Sequence, residues 1–207
     1  MDPQLVQLMQ NMAATAAAGL VVLAIVHNVL KRRAGERAAL FKRLSVETNG
    51  IVDLSGSWPV LTVDNKGRKI SLYYEVTTTD RVAQAFTRVS TSLPSPKIHF
   101  YCYSRKGMPM PSHSSQLPTG DTEFDDLFVI WVYSKIDQHS SAAIHSIFTE
   151  PLRKAFIEFH HICGQYSSLR VNEGKITLSK RNKLTDYALL RRCLEGGVKV
   201  FDCLNPA

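Results

Sequence analysis

Four carboxylates, Asp121, Glu123, Asp125 and Asp126, stand close together in the stretch TGDTEFDDLFV. Acidic groups this dense can do two kinds of chemistry: they ligate a hard cation, or they act as a general acid and base pair in hydrolysis. A calcium loop needs acids at its first, third and fifth positions, glycine at the sixth and a bidentate glutamate at the twelfth. Counted from Asp121, the first three are met, but the sixth is Asp126 and the twelfth Val132, so the tight turn and the closing ligand are missing. Spacing alone leaves open a hydrolase built on Asp121–Asp126. The residues that follow favour structure, because LFVIWVY is apolar at both parities, as in a strand buried on both faces. The carboxylates then read as the solvated lead-in after a Thr119–Gly120 turn, anchored by Phe124 and Phe128.

The remaining chemistry-bearing residues are weaker candidates. His160, His161 and Cys163 have metal-ligand types, but adjacent histidines on a helix point about 100° apart and no second Cys/His pair lies at finger-like spacing. No metal site is expected. No P-loop, GxGxxG, GxSxG, HExxH or CxxC motif occurs, and the expectation is a non-enzyme without catalytic residues or cofactors. Lys180, Arg181, Lys183, Arg191 and Arg192 lack interleaved aromatics for base stacking, which argues against nucleic acid. Cys102, Cys163, Cys193 and Cys203 read as small buried apolar residues in a reducing compartment.

The elements that must position these groups form an α+β domain of antiparallel hairpins with two or three helices, expected over residues 44–207. LSVETNGIVDL carries an Asn49–Gly50 turn that suggests a hairpin or bulge. VLTVDNKGRKISLYYEV is the clearest hairpin, with Ile70, Leu72, Tyr74 and Val76 on one face. Residues 82–93 fit a helix and a strand equally, whereas KIHFYCY alternates as a strand. GMPMPSHSSQLPTG, rich in proline, reads as a loop without its own secondary structure, and Met108, Met110, His113 and Leu117 make it a candidate partner-binding loop. TEPLRKAFIEFHHICG predicts a helix capped by Thr149 and ended by Gly164, SLRVNEGKITLSK a hairpin, and LTDYALLRRCLEGG a capped helix closed by its glycines.

The N-terminal segment, residues 1–43, is of another kind. No charge lies between Pro3 and Leu30, and MAATAAAGLVVLAIVHNVL from Met12 is long enough to span about 30 Å of hydrocarbon as a helix. A cleaved signal peptide wants cations ahead of its apolar core, and here they come behind. A core helix wants a polar face, and from Ala13 to Val26 only Thr15 is polar. The expectation is a transmembrane helix with Lys31, Arg32, Arg33, Arg37, Lys42 and Arg43 as membrane-interface residues. These six are opposed only by Glu36 and account for five of the seven net positive charges. Retention of cations on the inner side predicts a single pass, N-terminus out and domain in the cytoplasm. Small-xxx-small spacing at Ala14–Ala18 and Thr15–Gly19 permits close helix association, and with it a homo-oligomer.

The stretches TRVSTSLPSPKIHFY, GDTEFDDLFV in a G-D-x-x-F-D-x-x-F pattern, and FTEPLRKAF resemble a group of bacterial single-pass membrane-anchored proteins of unknown function. The resemblance covers roughly the middle and last third of the soluble part. It implies an architecture and no activity, and it places the chain in a bacterial inner membrane. The function expected from these readings is a membrane-anchored, non-enzymatic protein-binding domain. It would serve as scaffold or accessory subunit of an inner-membrane complex, with proteins of that complex and membrane lipid as partners. The alternative is a sensor of anionic lipid or a small ligand, and the third reading is the hydrolase.

Overall fold

In the computed structural model, which describes residues 3–79, 82–92, 99–106, 115–132, 142, 145–164, 167–172 and 174–204, the chain divides into two units, Met1–Ala39 and Leu40–Ala207. Helix α1 (Pro3–Thr48) is followed by strands β1 (Ile51–Asp53), β2 (Val60–Asn65), β3 (Arg68–Thr79), β4 (Val82–Ser92), β5 (Phe100–Ser104) and β6 (Ser115–Leu117). Then come α2 (Thr122–Leu127), β7 (Phe128–Val132), α3 (Glu150–Cys163), β8 (Ser167–Asn172), β9 (Lys175–Arg181) and α4 (Tyr187–Leu204).

The strands make one nine-stranded sheet in the order β1-β2-β3-β4-β9-β8-β5-β7-β6, antiparallel at every step. The class is α+β, with hairpins and helices as expected. Lys66 and Gly67, both at positive φ, close the two-residue turn between β2 and β3, and Asn65 pairs with Arg68. Residues 82–92 are a strand, settled by pairing on both sides, with β3 and with β9.

Alternation sends Leu72, Val89, Leu178, Leu169 and Cys102 to one face, where they meet Phe156, Phe159, Leu190, Leu194 and Phe201 of α3 and α4. The C-terminal turns of α1 join this core through Phe41 and Leu44, both fully buried, with the Phe41 ring 5.2 Å from that of Tyr74. β7 is buried along its whole length, as its double-parity apolar pattern predicts.

Three local expectations are corrected. Asn49–Gly50 starts no hairpin: α1 runs through to Thr48, Asn49 takes the left-handed conformation and the Gly50 N–H bonds to the Ser45 carbonyl at 2.9 Å, a Schellman-type stop. Gly196 and Gly197 do not close α4, which continues to Leu204. They are buried and let the helix lie close, because a Cβ at Gly197 would come within 2.9 Å of Val89 Cγ1. The proline-rich stretch contains strand β6, held by pairing of Gln116 with Trp131.

Candidate functional site

Leu20, Val21, Val22, Leu23, Ile25, Val26, Val29 and Leu30 in α1 are each between 44% and 68% exposed. At 100° per residue they cover every side of the helix, so no rotation of it against a core could hide them all. Exposed apolar surface on this scale marks a contact with lipid or with another chain. Among the described residues, however, no helix is long and apolar enough to cross a membrane. The expected span from Met12 to Leu30 is therefore not supported, nor is the single-pass topology drawn from it. The side chains at 13, 14 and 16–18, including the Ala14–Ala18 pair, lie outside the described residues.

The basic residues divide between the two units. Lys31, Arg32 and Arg33 are exposed directly after Leu30, and Arg32 is paired with Glu36 at 3.1 Å across one helical turn. Arg37 is half-buried. In the second unit Lys42 is exposed, while the Arg43 guanidinium lies 3.9 Å above the Tyr187 ring and 3.9 Å from Glu47. Arg43 is thus engaged by its own domain. Of the candidate partner loop, Met108, Met110 and His113 lie outside the described residues. Leu117 is half-buried in β6, paired with Ile130 and packed on the core, so it does not belong to a loop.

The acidic stretch resolves into two structural devices. Asp121 is the N-cap of α2: its carboxylate accepts from the Phe124 N–H at 3.2 Å and from Arg153 Nε at 2.8 Å. The Arg153 bond, helped by that N–H, holds the Asp121 carboxyl below the usual carboxylate range. Asp125 turns back and accepts from Thr119 N at 3.0 Å, Thr119 Oγ1 at 2.9 Å and Gly120 N at 3.0 Å. Gly120 takes φ of 81°, which closes the turn. Phe124 and Phe128 anchor it, their ring centroids 4.8 Å apart in the core. Glu123 and Asp126 are exposed.

The fold also assembles groups that the sequence did not single out as pairs. His160 Nδ1 and Ser167 Oγ are 2.6 Å apart, and both residues are buried. Burial lowers the His160 pKa, with His161, Lys180 and Lys106 adding to the effect. Among the described residues the charged groups acting on the ring are His161, Lys180 and Lys106, with no carboxylate of the kind that orients the imidazole in a Ser-His-Asp triad. The pair closes the β8 end of the core. Cys163 and Cys193 are buried with their sulfurs 3.5 Å apart, which raises the Cys193 thiol well above its ordinary range. A 550 Å³ cavity opens between α3 and α4 beside Ile157 and Ile162, ringed by both cations and carboxylates, with Lys199 paired to Glu158 at 2.7 Å. It presents no single charge to a ligand. Among the described residues no cluster of histidine, cysteine or carboxylate side chains could hold a metal ion.

No family model and no curated protein matches the chain. Among solved structures it is similar to the crystal structure of the mycobacterial trehalose monomycolate transport factor A, TtfA, at 8% identity, covering 83% of this chain and 99% of that one. The TM-score is 0.48, too low to carry an argument about function.

Proposed function

We propose that the chain is a membrane-associated, non-enzymatic protein-binding module, an accessory subunit or scaffold of a complex at a membrane. The observation that carries this reading is the all-round exposure of Leu20–Leu30 immediately before Lys31, Arg32 and Arg33. Such a segment loses its apolar surface to lipid or to partner helices, while cations at its end meet anionic headgroups, each worth about 1 kcal/mol near the surface. The α+β domain then presents its surface to protein partners. The engagement of Asp121 and Asp125 as cap and turn ligands supports a non-enzymatic role.

Vesicle flotation of the full-length protein tests the attachment. The wild type is expected to float with phosphatidylcholine vesicles and more completely when phosphatidylglycerol is added. Leu23→Asp with Val26→Asp is expected to remain at the bottom with an unchanged unfolding transition of the domain. A wild type that fails to float sinks the reading. Isolation from native membranes in mild detergent tests the second half, where a stoichiometric companion is expected and a lone monomer would shift the weight to a lipid or ligand sensor.

A further inference from the structure

The sheet face turned away from the helices carries a polar grid. Arg88 of β4 pairs with Ser179 of β9, which pairs with Ser168 of β8. One step along the same face, Ser90 pairs with Thr177, which pairs with Arg170. The six residues form two rows of three, with an arginine at each of two opposite corners and four hydroxyls between. Two strand spacings across and two residues along put the arginine Cα atoms about 12 Å apart. Side chains of that length can both reach the centre of the grid.

These arginines are unusual in their partners. The Nε atoms of Arg88 and Arg170 are both buried and make no hydrogen bond among the described residues. A buried N–H left unpaired costs about 1–3 kcal/mol, so natural proteins seldom keep one without use. Arg88 has Glu75 at 3.0 Å for its terminal nitrogen. Arg170 lies 4.9 Å over the Tyr101 ring and has no carboxylate among the described residues. Beneath them Ser90, Thr177 and Ser179 are buried.

We propose that this grid is a binding site for a phosphate-type oxyanion, held by Arg88 and Arg170 over the hydroxyls of Thr177 and Ser179. A carboxylate would use two oxygens and one charge, and would leave donors of the grid idle. A phosphate group brings three or more acceptor oxygens, which match the Arg170 fork, the Arg88 nitrogens that Glu75 does not engage and the flanking hydroxyls. The group can come from free phosphate or from a phosphate-ester headgroup.

The test is thermal unfolding and calorimetric titration of the full-length protein with inorganic phosphate and with glycerol 3-phosphate, against chloride at matched ionic strength. Both probes are expected to raise Tm saturably. Tighter binding of glycerol 3-phosphate assigns a headgroup as the source, and tighter or equal binding of inorganic phosphate assigns the free ion. Arg170→Met is expected to abolish the phosphate-dependent shift, because the guanidinium fork is removed. Arg170→Lys is expected to weaken binding about tenfold or more, since the fork is lost. A wild-type Tm unmoved by both probes, or a shift that Arg170→Met retains, overturns the proposal. Should Arg170→Met fail to fold, Thr177→Val decides: weakened phosphate binding upholds the site and unchanged binding overturns it.

Discussion

Asp125 shows how a residue of catalytic type is committed to shape. Its carboxylate satisfies the backbone N–H groups of Thr119 and Gly120 and the Thr119 hydroxyl. Asp125→Ala is therefore expected to destabilise the domain by about 2 kcal/mol, the cost of donors stranded in a partly buried turn. Glu123→Ala, at an exposed position outside those bonds, is expected to stay within about 0.5 kcal/mol of wild type. Urea denaturation measures both, and equal costs would refute the division of roles. The sequence made the turn and its two phenylalanine anchors legible, because the signals are local. Arg153 was not legible as the partner of Asp121, since that contact joins α2 to a helix much later in the chain. Nor was the arginine grid: Arg88 and Arg170 each stand at the polar parity of a strand, but only the register of β4, β9 and β8 sets them at opposite corners.

At the level of elements, glycine misled where its context was tertiary. Glycines near the end of an apolar-periodic stretch ordinarily signal a helix stop, yet α4 continues through Gly196 and Gly197 because close packing, not termination, requires them. The two differ in what a methyl group would meet. At Gly196 the nearest atoms are Ile162 Cδ1, a side-chain tip, and the ring atom Phe159 Cδ2, both at 3.3 Å. At Gly197 they are Val89 Cγ1 at 2.9 Å and Val89 Cβ at 3.1 Å, fixed on the central strand β4. Alanine gains about 1 kcal/mol of helix propensity at either site, and overpacking costs about 1–3 kcal/mol. Gly196→Ala is thus expected near neutral and Gly197→Ala destabilising by about 1 kcal/mol, as thermal denaturation would show. The strand β4 was ambiguous for a related reason, since its apolar residues fit both periods until pairing partners on either side decide. Asn49–Gly50 signals a turn in the sequence, but the residues before it, Leu44–Thr48, are helical because Leu44 joins Phe41 in the core.

For the molecule as a whole, the second unit begins at Leu40 and takes Phe41 and Leu44 from the end of α1 into its core. A chain of residues 40–207 is expected to unfold in one cooperative transition. One beginning at Leu44 loses the Phe41 ring and should be less stable by about 3–5 kcal/mol, the usual cost of a buried phenylalanine. Equal midpoints in guanidinium would show that Phe41 contributes nothing. The order of strands across the sheet has a separate consequence for biosynthesis. β1 to β4 follow one another as a meander, but the far side of β4 pairs with β9, so that Thr91 meets Ile176. A chain emerging from the ribosome has the first four strands in hand while the partner of the fourth is still unmade. During that interval β4 presents an open edge to any other nascent chain, and pairing so distant in sequence is slow to form. A nascent chain is therefore expected to be most open to wrong strand pairing in the interval between completion of β4 and arrival of β9.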